Sequence, residues 1–216
     1  MKPQFVIGIK NEIFQNIGLK NGLNPITVEQ LLEQLQPGIV IGQREVLEND
    51  ETVRQVLPYA IFSQFDESAG CMKYIVYRRT KLVGESRLAG NVSVGFGGHI
   101  DLEDVAHKDS IIDLVGTIGQ AIGREIHEEL VFTGLEGHEL SMFSVGILLD
   151  ESDAVGRVHM GVIFNIQLPP GATAVCAEEE LESMLPMTAS ELLNSGLPLE
   201  NWTRISLEFL EQVEAM

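Results

Sequence analysis

The seven residues REIHEEL, 124–130, hold three glutamates, an arginine and a histidine. Glu125, Glu128 and Glu129 stand at i, i+3 and i+4, so on a helix they are neighbours, and like charges at that spacing cost roughly 0.2–0.5 kcal/mol per pair. Acids near a helix C-terminus are also disfavoured by the macrodipole. Two readings follow. The run is a solvated acidic face, or the carboxylates face a counter-charge. Arg124 supplies one positive charge and a divalent cation supplies two. Mg²⁺ takes oxygen ligands, keeps several waters, and is often held by a few carboxylates together with substrate phosphates.

The elements that must position these acids can be read around them. IIDLVGTIGQAIGREIHEEL, 111–130, has apolar residues at spacings of three and four (Ile111, Val115, Ile118, Ile122, Ile126), which predicts a helix capped by Asp109 or Ser110. The glutamates fall beside that apolar stripe. Gly116, Gly119 and Gly123 fall on its other flank. Each costs about 1 kcal/mol against alanine, and close approach of another backbone is the expected reason.

Strands are predicted at 59–65 and 73–79, joined as a hairpin, at 91–96 running into Gly97-Gly98, and at 141–150 and 157–168, where Pro169-Pro170-Gly171 stops the last. VEQLLEQLQ after Thr27, residues 188–194 and NWTRISLEFLEQV after Glu200 read as helices, the last with Trp202, Ile205, Leu207 and Leu210 partly buried. Strands flanking one long central helix imply an α/β sandwich rather than a doubly wound βαβ repeat. Residues 1–57 are the least readable part and are set apart as an N-terminal extension packed on a core domain of 58–216.

The 216 residues are 44% hydrophobic, enough for a core, and 14 Lys+Arg against 32 Asp+Glu give a formal charge of −18. Such a body repels nucleic-acid backbones, and a site that uses phosphate needs a metal or clustered cations to reverse the local field. Cys71 and Cys176 stand in no metal-ligand spacing and read as reduced thiols. The N-terminus is a poor signal peptide, and no apolar run approaches the ~20 residues that span a bilayer. A cytoplasmic protein is expected.

Gly97-Gly98, a polar stretch and then REIHEEL together resemble the Nudix box of the MutT-type pyrophosphohydrolases, G-x5-E-x7-R-E-U-x-E-E-x-G-U, where U is a bulky aliphatic. Arg124, Glu125, Ile126, Glu128 and Glu129 match R-E-U-x-E-E. The first half departs from the pattern: Asp104 stands where the family has Glu, and twenty positions separate it from Arg124 instead of eight, the surplus lying around VAHKDSIID. Val131 replaces the glycine after the acidic pair. GGHIDLED with its long spacer is similar to a group of MutT-family phosphoesterases.

The resemblance implies a Nudix-type α/β/α sandwich with a mixed sheet, and a hydrolase of a phosphoanhydride in a nucleoside-diphosphate-linked or related diphosphate compound. It implies that Glu125, Glu128 and Glu129 hold Mg²⁺ or Mn²⁺, with Glu125 doubling as base and Arg124 orienting a glutamate. Gly97 and Gly98 let the backbone pass close to the metal. Asp104 is a further candidate ligand, and Glu178, with Glu179, is a candidate from the CAEEEL loop, where a solvated acidic loop is the competing reading. His99 and His159 are candidates for phosphate contact or for structural roles. Arg78, Arg79, Lys81 and Arg87 form a basic stretch that could receive an anionic substrate or simply charge a hairpin edge. The expected partner is a small diphosphate, with no long nucleic acid and no membrane, and a homodimer is expected by analogy alone. The rivals are a Nudix-fold binding module without activity and an isopentenyl-diphosphate-isomerase-like enzyme; the latter calls for a placed acid/base pair, often with Cys, that neither cysteine's surroundings suggest.

Overall fold

The computed structural model describes residues 3–81, 88–138 and 140–214, without the side chains of 28–31. The chain gathers into two compact units, Met1–Tyr59 with Gly97–Glu125 and Ser144–Phe164, and Ala60–Phe96 with Ile126–Phe143 and Asn165–Met216. The strands Val53–Asp66, Ser141–Leu149 and His159–Gln167 and the helix Leu114–Glu129 contribute residues to both.

In the first unit the strand order is Gly22–Asn24, Ser141–Leu149, His159–Gln167, Val53–Asp66, Phe5–Lys10, Ile39–Gln43. FVIGIK, 5–10, forms a strand because its β-branched and aromatic residues suit a pleated surface buried on both faces. It pairs antiparallel with both neighbours, Ile7 opposite Ile41 and Gly8 opposite Gln55, and Val6, Ile7 and Ile9 are fully buried. The least readable residues thus supply much of the first unit's sheet. Thr27's helix spans Val28–Leu35, and a 3₁₀ turn at Gln36–Gly38, carrying Pro37, ends it.

The central helix departs from its expected start. It begins at Leu114, where the Asp113 carboxylate accepts from the Gly116 amide at 3.2 Å, and the preceding residues form a hairpin instead, His107–Lys108 against Ile111–Ile112. Asp109 and Ser110, expected as caps, are the two turn residues, with φ of 51° and 65°. Positive φ at both central positions is what a tight I′-type hairpin requires. The surplus residues of the glutamate motif's spacer therefore fold as a small β-hairpin.

The buried stripe shifts with the start. Leu114, Thr117, Ile118, Ala121 and Ile122 are buried, while Ile111 and Val115, expected in the stripe, are 61% and 49% exposed. The glycine expectation is also corrected. A Cβ at Gly116 would lie 2.9 Å from the Asp113 carboxylate and 3.0 Å from Ala106 Cβ, so the close neighbours there are side chains; Gly119 and Gly123 meet no described atom within 4 Å.

In the second unit the later part of Val53–Asp66 pairs with Cys71–Tyr74 and with Gly95–Phe96. The expected strand 73–79 is interrupted, its end Tyr77–Arg79 joining Leu181–Ser183 and Val92–Ser93 in a small separate sheet. Leu130–Thr133 pairs with Thr173–Cys176. Both expected C-terminal helices form. Thr188 and Glu191 make a reciprocal capping box at the start of Ala189–Asn194. In Asn201–Glu214, Leu207 and Leu210 are buried while Trp202 and Ile205 are half-buried. Among the described residues no helix is long and apolar enough to cross a membrane.

Candidate functional site

In the first unit the Gly97-Gly98 backbone lies against Pro58 and the helix residue Glu125. Gly97 has φ of 147°, and a Cβ there would stand 2.0 Å from the Pro58 carbonyl oxygen, so no side chain fits. At Gly98 a Cβ would lie 2.5 Å from Glu125 Oε1. The missing side chain leaves the face of that carboxylate uncovered by Gly98.

Arg124 organises this corner. Its Nε and Nη2 donate to the two Asp104 oxygens at 2.9 and 2.7 Å, its Nη1 to Glu125 Oε1 at 2.9 Å, and its Nη2 also to the His99 carbonyl at 3.1 Å. The fork geometry suits a guanidinium and no other side chain. The Asp104 bond, then Glu125, hold the Arg124 pKa above its ordinary value against the opposing effect of burial. Asp104 is buried, and its Oδ2 also accepts from the Asp101 amide at 2.9 Å in a capping box. The structure thus places this candidate ligand under Arg124, with both oxygens engaged.

The other two helix acids belong to the second unit. Glu129 is nearly buried and Glu128 is exposed. The ladder that follows the helix brings the acidic loop back to it: Leu130 stands opposite Cys176, and the Ala177 amide donates to the Glu129 carbonyl at 2.8 Å. Glu178 comes next. Desolvation, then the Glu180 and Glu128 carboxylates, raise its pKa, while Arg79 opposes them. Glu179 contributes its carbonyl to the Thr80 hydroxyl at 3.1 Å.

Of the basic stretch, Arg79 donates to Glu200 at 2.6 Å and lies over the Tyr77 ring, and Arg78 is 3.7 Å from Glu182. Burial disfavours the Arg79 charge, but Tyr77, Glu200 and Glu129 outweigh it and raise its pKa. Lys81 is exposed, and Arg87 lies outside the described residues.

His99 and His159 come together in the first unit. Their Nε2 atoms are 3.3 Å apart, and His99 Nε2 is 3.9 Å from Glu48 Oε1. Burial, with the charges of Arg44 and His159 adding to it, pushes the His99 pKa down to about 3. No feature of the sequence around Glu48 marks it; only the fold brings it to the histidines.

No protein-family model matches the chain. Protein YmaB of Bacillus subtilis (strain 168) is 29% identical over 187 residues, 85% of this chain and 84% of that protein. Among solved structures, Tm1382, a proposed Nudix hydrolase, superposes with a TM-score of 0.74 at 23% identity, over 97% of this chain and 100% of that one.

The chain has the Nudix fold.

The same fold relates it to a Nudix hydrolase from Alicyclobacillus acidocaldarius, with a TM-score of 0.51 at 15% identity over 76% of this chain and 92% of that one. The Nudix domain of Shewanella oneidensis NrtR, solved with ADP ribose, gives 0.53 at 12% identity over 87% and 99%. In Nudix terms the chain carries R-E-U-x-E-E at the end of its helix, and the hairpin His107–Ile112 fills the lengthened spacer.

The helix glutamates offer carboxylate oxygens, the donor chemistry that a hard divalent cation takes, while among the described residues the three ligand atoms found within 4.8 Å of one another are those of Glu48, His99 and His159.

Proposed function

We propose that the protein is a metal-dependent Nudix hydrolase that cleaves a phosphoanhydride in a nucleoside-diphosphate-linked or related diphosphate substrate. What supports this reading is the R-E-U-x-E-E run on the helix Leu114–Glu129, with Arg124 holding Glu125 Oε1 and Gly98 adding no side chain over that carboxylate. The ADP ribose held by the NrtR domain favours a nucleoside-diphosphate-linked substrate class.

In this reading Glu125, Glu128, Glu129 and Glu178 hold Mg²⁺ or Mn²⁺. When bound, the ion neutralises diphosphate charge and acidifies water. Glu125 accepts the proton of the attacking water, while Arg124 fixes its Oε1. Asp104 acts through Arg124 as a positioning residue, since the guanidinium occupies both of its oxygens. Catalysis is then positioning plus charge neutralisation, as in other phosphoryl-group chemistry.

The test is Mg²⁺-dependent release of nucleoside monophosphate or phosphate from a panel that includes ADP-ribose and other nucleoside diphosphate compounds. Glu128→Gln and Glu129→Gln each abolish turnover and keep the wild-type circular dichroism spectrum. Variants with wild-type rates would refute the assignment. Nucleotide binding without turnover would instead establish the binding module.

A further inference from the structure

We propose that Glu48, His99 and His159 form a second metal site, selective for a divalent transition cation of the zinc class and separate in its residues from the glutamate helix. Their donor atoms all lie within 4.8 Å of one another. The two Nε2 atoms are 3.3 Å apart, which is about the separation of two nitrogens in a tetrahedral site with Zn–N of about 2.0–2.1 Å. Glu48 Oε1, 3.9 Å from His99 Nε2, needs only a small side-chain adjustment to complete the set.

Two further observations point to a cation there. His159 Nδ1 is 2.7 Å from the Val155 carbonyl oxygen. A carbonyl only accepts, so Nδ1 carries the hydrogen, and the Nε2 lone pair of the neutral ring faces His99. Metal-bound histidines are oriented in this way by a carbonyl behind the ring. The second is Gln55, fully buried, whose Nε2 stands 3.3 Å from the same His159 Nε2 while its Oε1 has no hydrogen-bond partner among the described residues. A buried orphan acceptor costs about 1–3 kcal/mol.

Without a cation, the Gln55 amide and a His99 N–H compete for one lone pair and Gln55 Oε1 stays orphaned. Turning the amide over exchanges its oxygen and nitrogen. A cation among the ring nitrogens then satisfies both imidazoles, and Gln55 Oε1 faces the positive charge. Arg44, which donates from Nε to Glu48 Oε1 at 3.2 Å, is the charge that opposes binding; it is 42% exposed and also reaches Gln4 at 3.2 Å, so it can share or yield Glu48. Imidazole donors select the zinc class over Mg²⁺, which prefers oxygen. The occupied site would tie together Glu48, the residue after the glycine pair, and the strand His159–Gln167.

The test uses the full chain stripped of metal and titrated with Co²⁺ in millimolar Mg²⁺. The expected result is one Co²⁺ per chain with a visible absorption band, displaced by Zn²⁺ and unaffected by Mg²⁺, and X-ray absorption of the zinc form showing two imidazole ligands. His99→Gln and Glu48→Gln should weaken binding by at least the roughly 10–100-fold that loss of an outer-shell partner costs, whereas Glu128→Gln should bind Co²⁺ as the wild type does. Because the Glu128 variant reads the proposed hydrolase site, failure of that reading and failure of this one are distinguishable. Absence of the band, zinc held by carboxylates without imidazole, or a band that survives His99→Gln would overturn the proposal; the spectra of the wild-type protein decide it even if a variant does not fold.

Discussion

Replacing Arg124 with Met should destabilise the protein more than any single surface charge does, and the structure sets the size. Arg124 donates two hydrogen bonds to Asp104, whose side chain is 4% exposed, and one to Glu125. Removing one partner of a buried pair costs about 3–5 kcal/mol, because the other charge is left uncompensated. Asp104 keeps its bond from the Asp101 amide, and the Arg124 side chain is 23% exposed, so the low end applies, about 3 kcal/mol. For a chain of this length that corresponds to a fall in Tm of about 6–12 °C.

Asp104→Asn should cost less, because the freed Arg124 retains Glu125 and access to water. The double variant Asp104→Asn/Arg124→Met should then be more stable than the sum of the single losses implies, by about 1–3 kcal/mol. Urea unfolding followed by circular dichroism at neutral pH measures all three. If Arg124→Met costs under about 1 kcal/mol, or if the two changes simply add, the pair is not the keystone described here.

Three further outcomes are expected. Gly98→Ala places a Cβ 2.5 Å from Glu125 Oε1, where ordinary contact begins at 3.4 Å, so the carboxylate must retreat by roughly 0.9 Å; hydrolysis should fall about 100-fold, the scale for a misplacement of that size, with a Tm near wild type, and unchanged turnover would refute the close approach. Burial, then its bond to Glu214, raises the Tyr74 pKa above the ordinary value of 10. The unfolded chain therefore loses this proton first, and stability present below about pH 10 is lost as pH rises beyond it, by up to about 1.4 kcal/mol per pH unit; Tyr74→Phe should flatten that part of the stability curve, and identical alkaline slopes would contradict the assignment. Thr188→Ala should remove the capping box of Ala189–Asn194 and cost about 1 kcal/mol in urea unfolding, and no change would show that the cap contributes nothing.

REIHEEL was legible because helical spacing and charge crowding are local properties, and the structure keeps Arg124 to Glu129 on one helix, with Leu130 opening the strand that follows. The short helix at 188–194 and the buried face of Asn201–Glu214 were legible for the same reason, whereas the capping role of Thr188 emerged only with the structure. The hairpin His107–Ile112 was not, since Ile111 and Val115 fit a helical period and Asp109-Ser110 is not a strong turn signal. Asp104 read as a ligand because carboxylates bind metal. That Arg124 covers both its oxygens depends on a separation of twenty positions, which only the fold closes. Glu48 gave no signal at all. It follows a helix of four residues, Arg44–Leu47, too short for a period to emerge, and its neighbours His99 and His159 come from distant segments.

The central claim is that the crowded glutamates are held together by a hard divalent cation. Crystals of the protein soaked in Mn²⁺ and measured at the manganese absorption edge test it most directly. The account predicts an anomalous peak bonded to carboxylate oxygens of Glu125, Glu128 and Glu129, and lost in Glu128→Gln; manganese found only elsewhere, with those carboxylates turned to solvent, would contradict it.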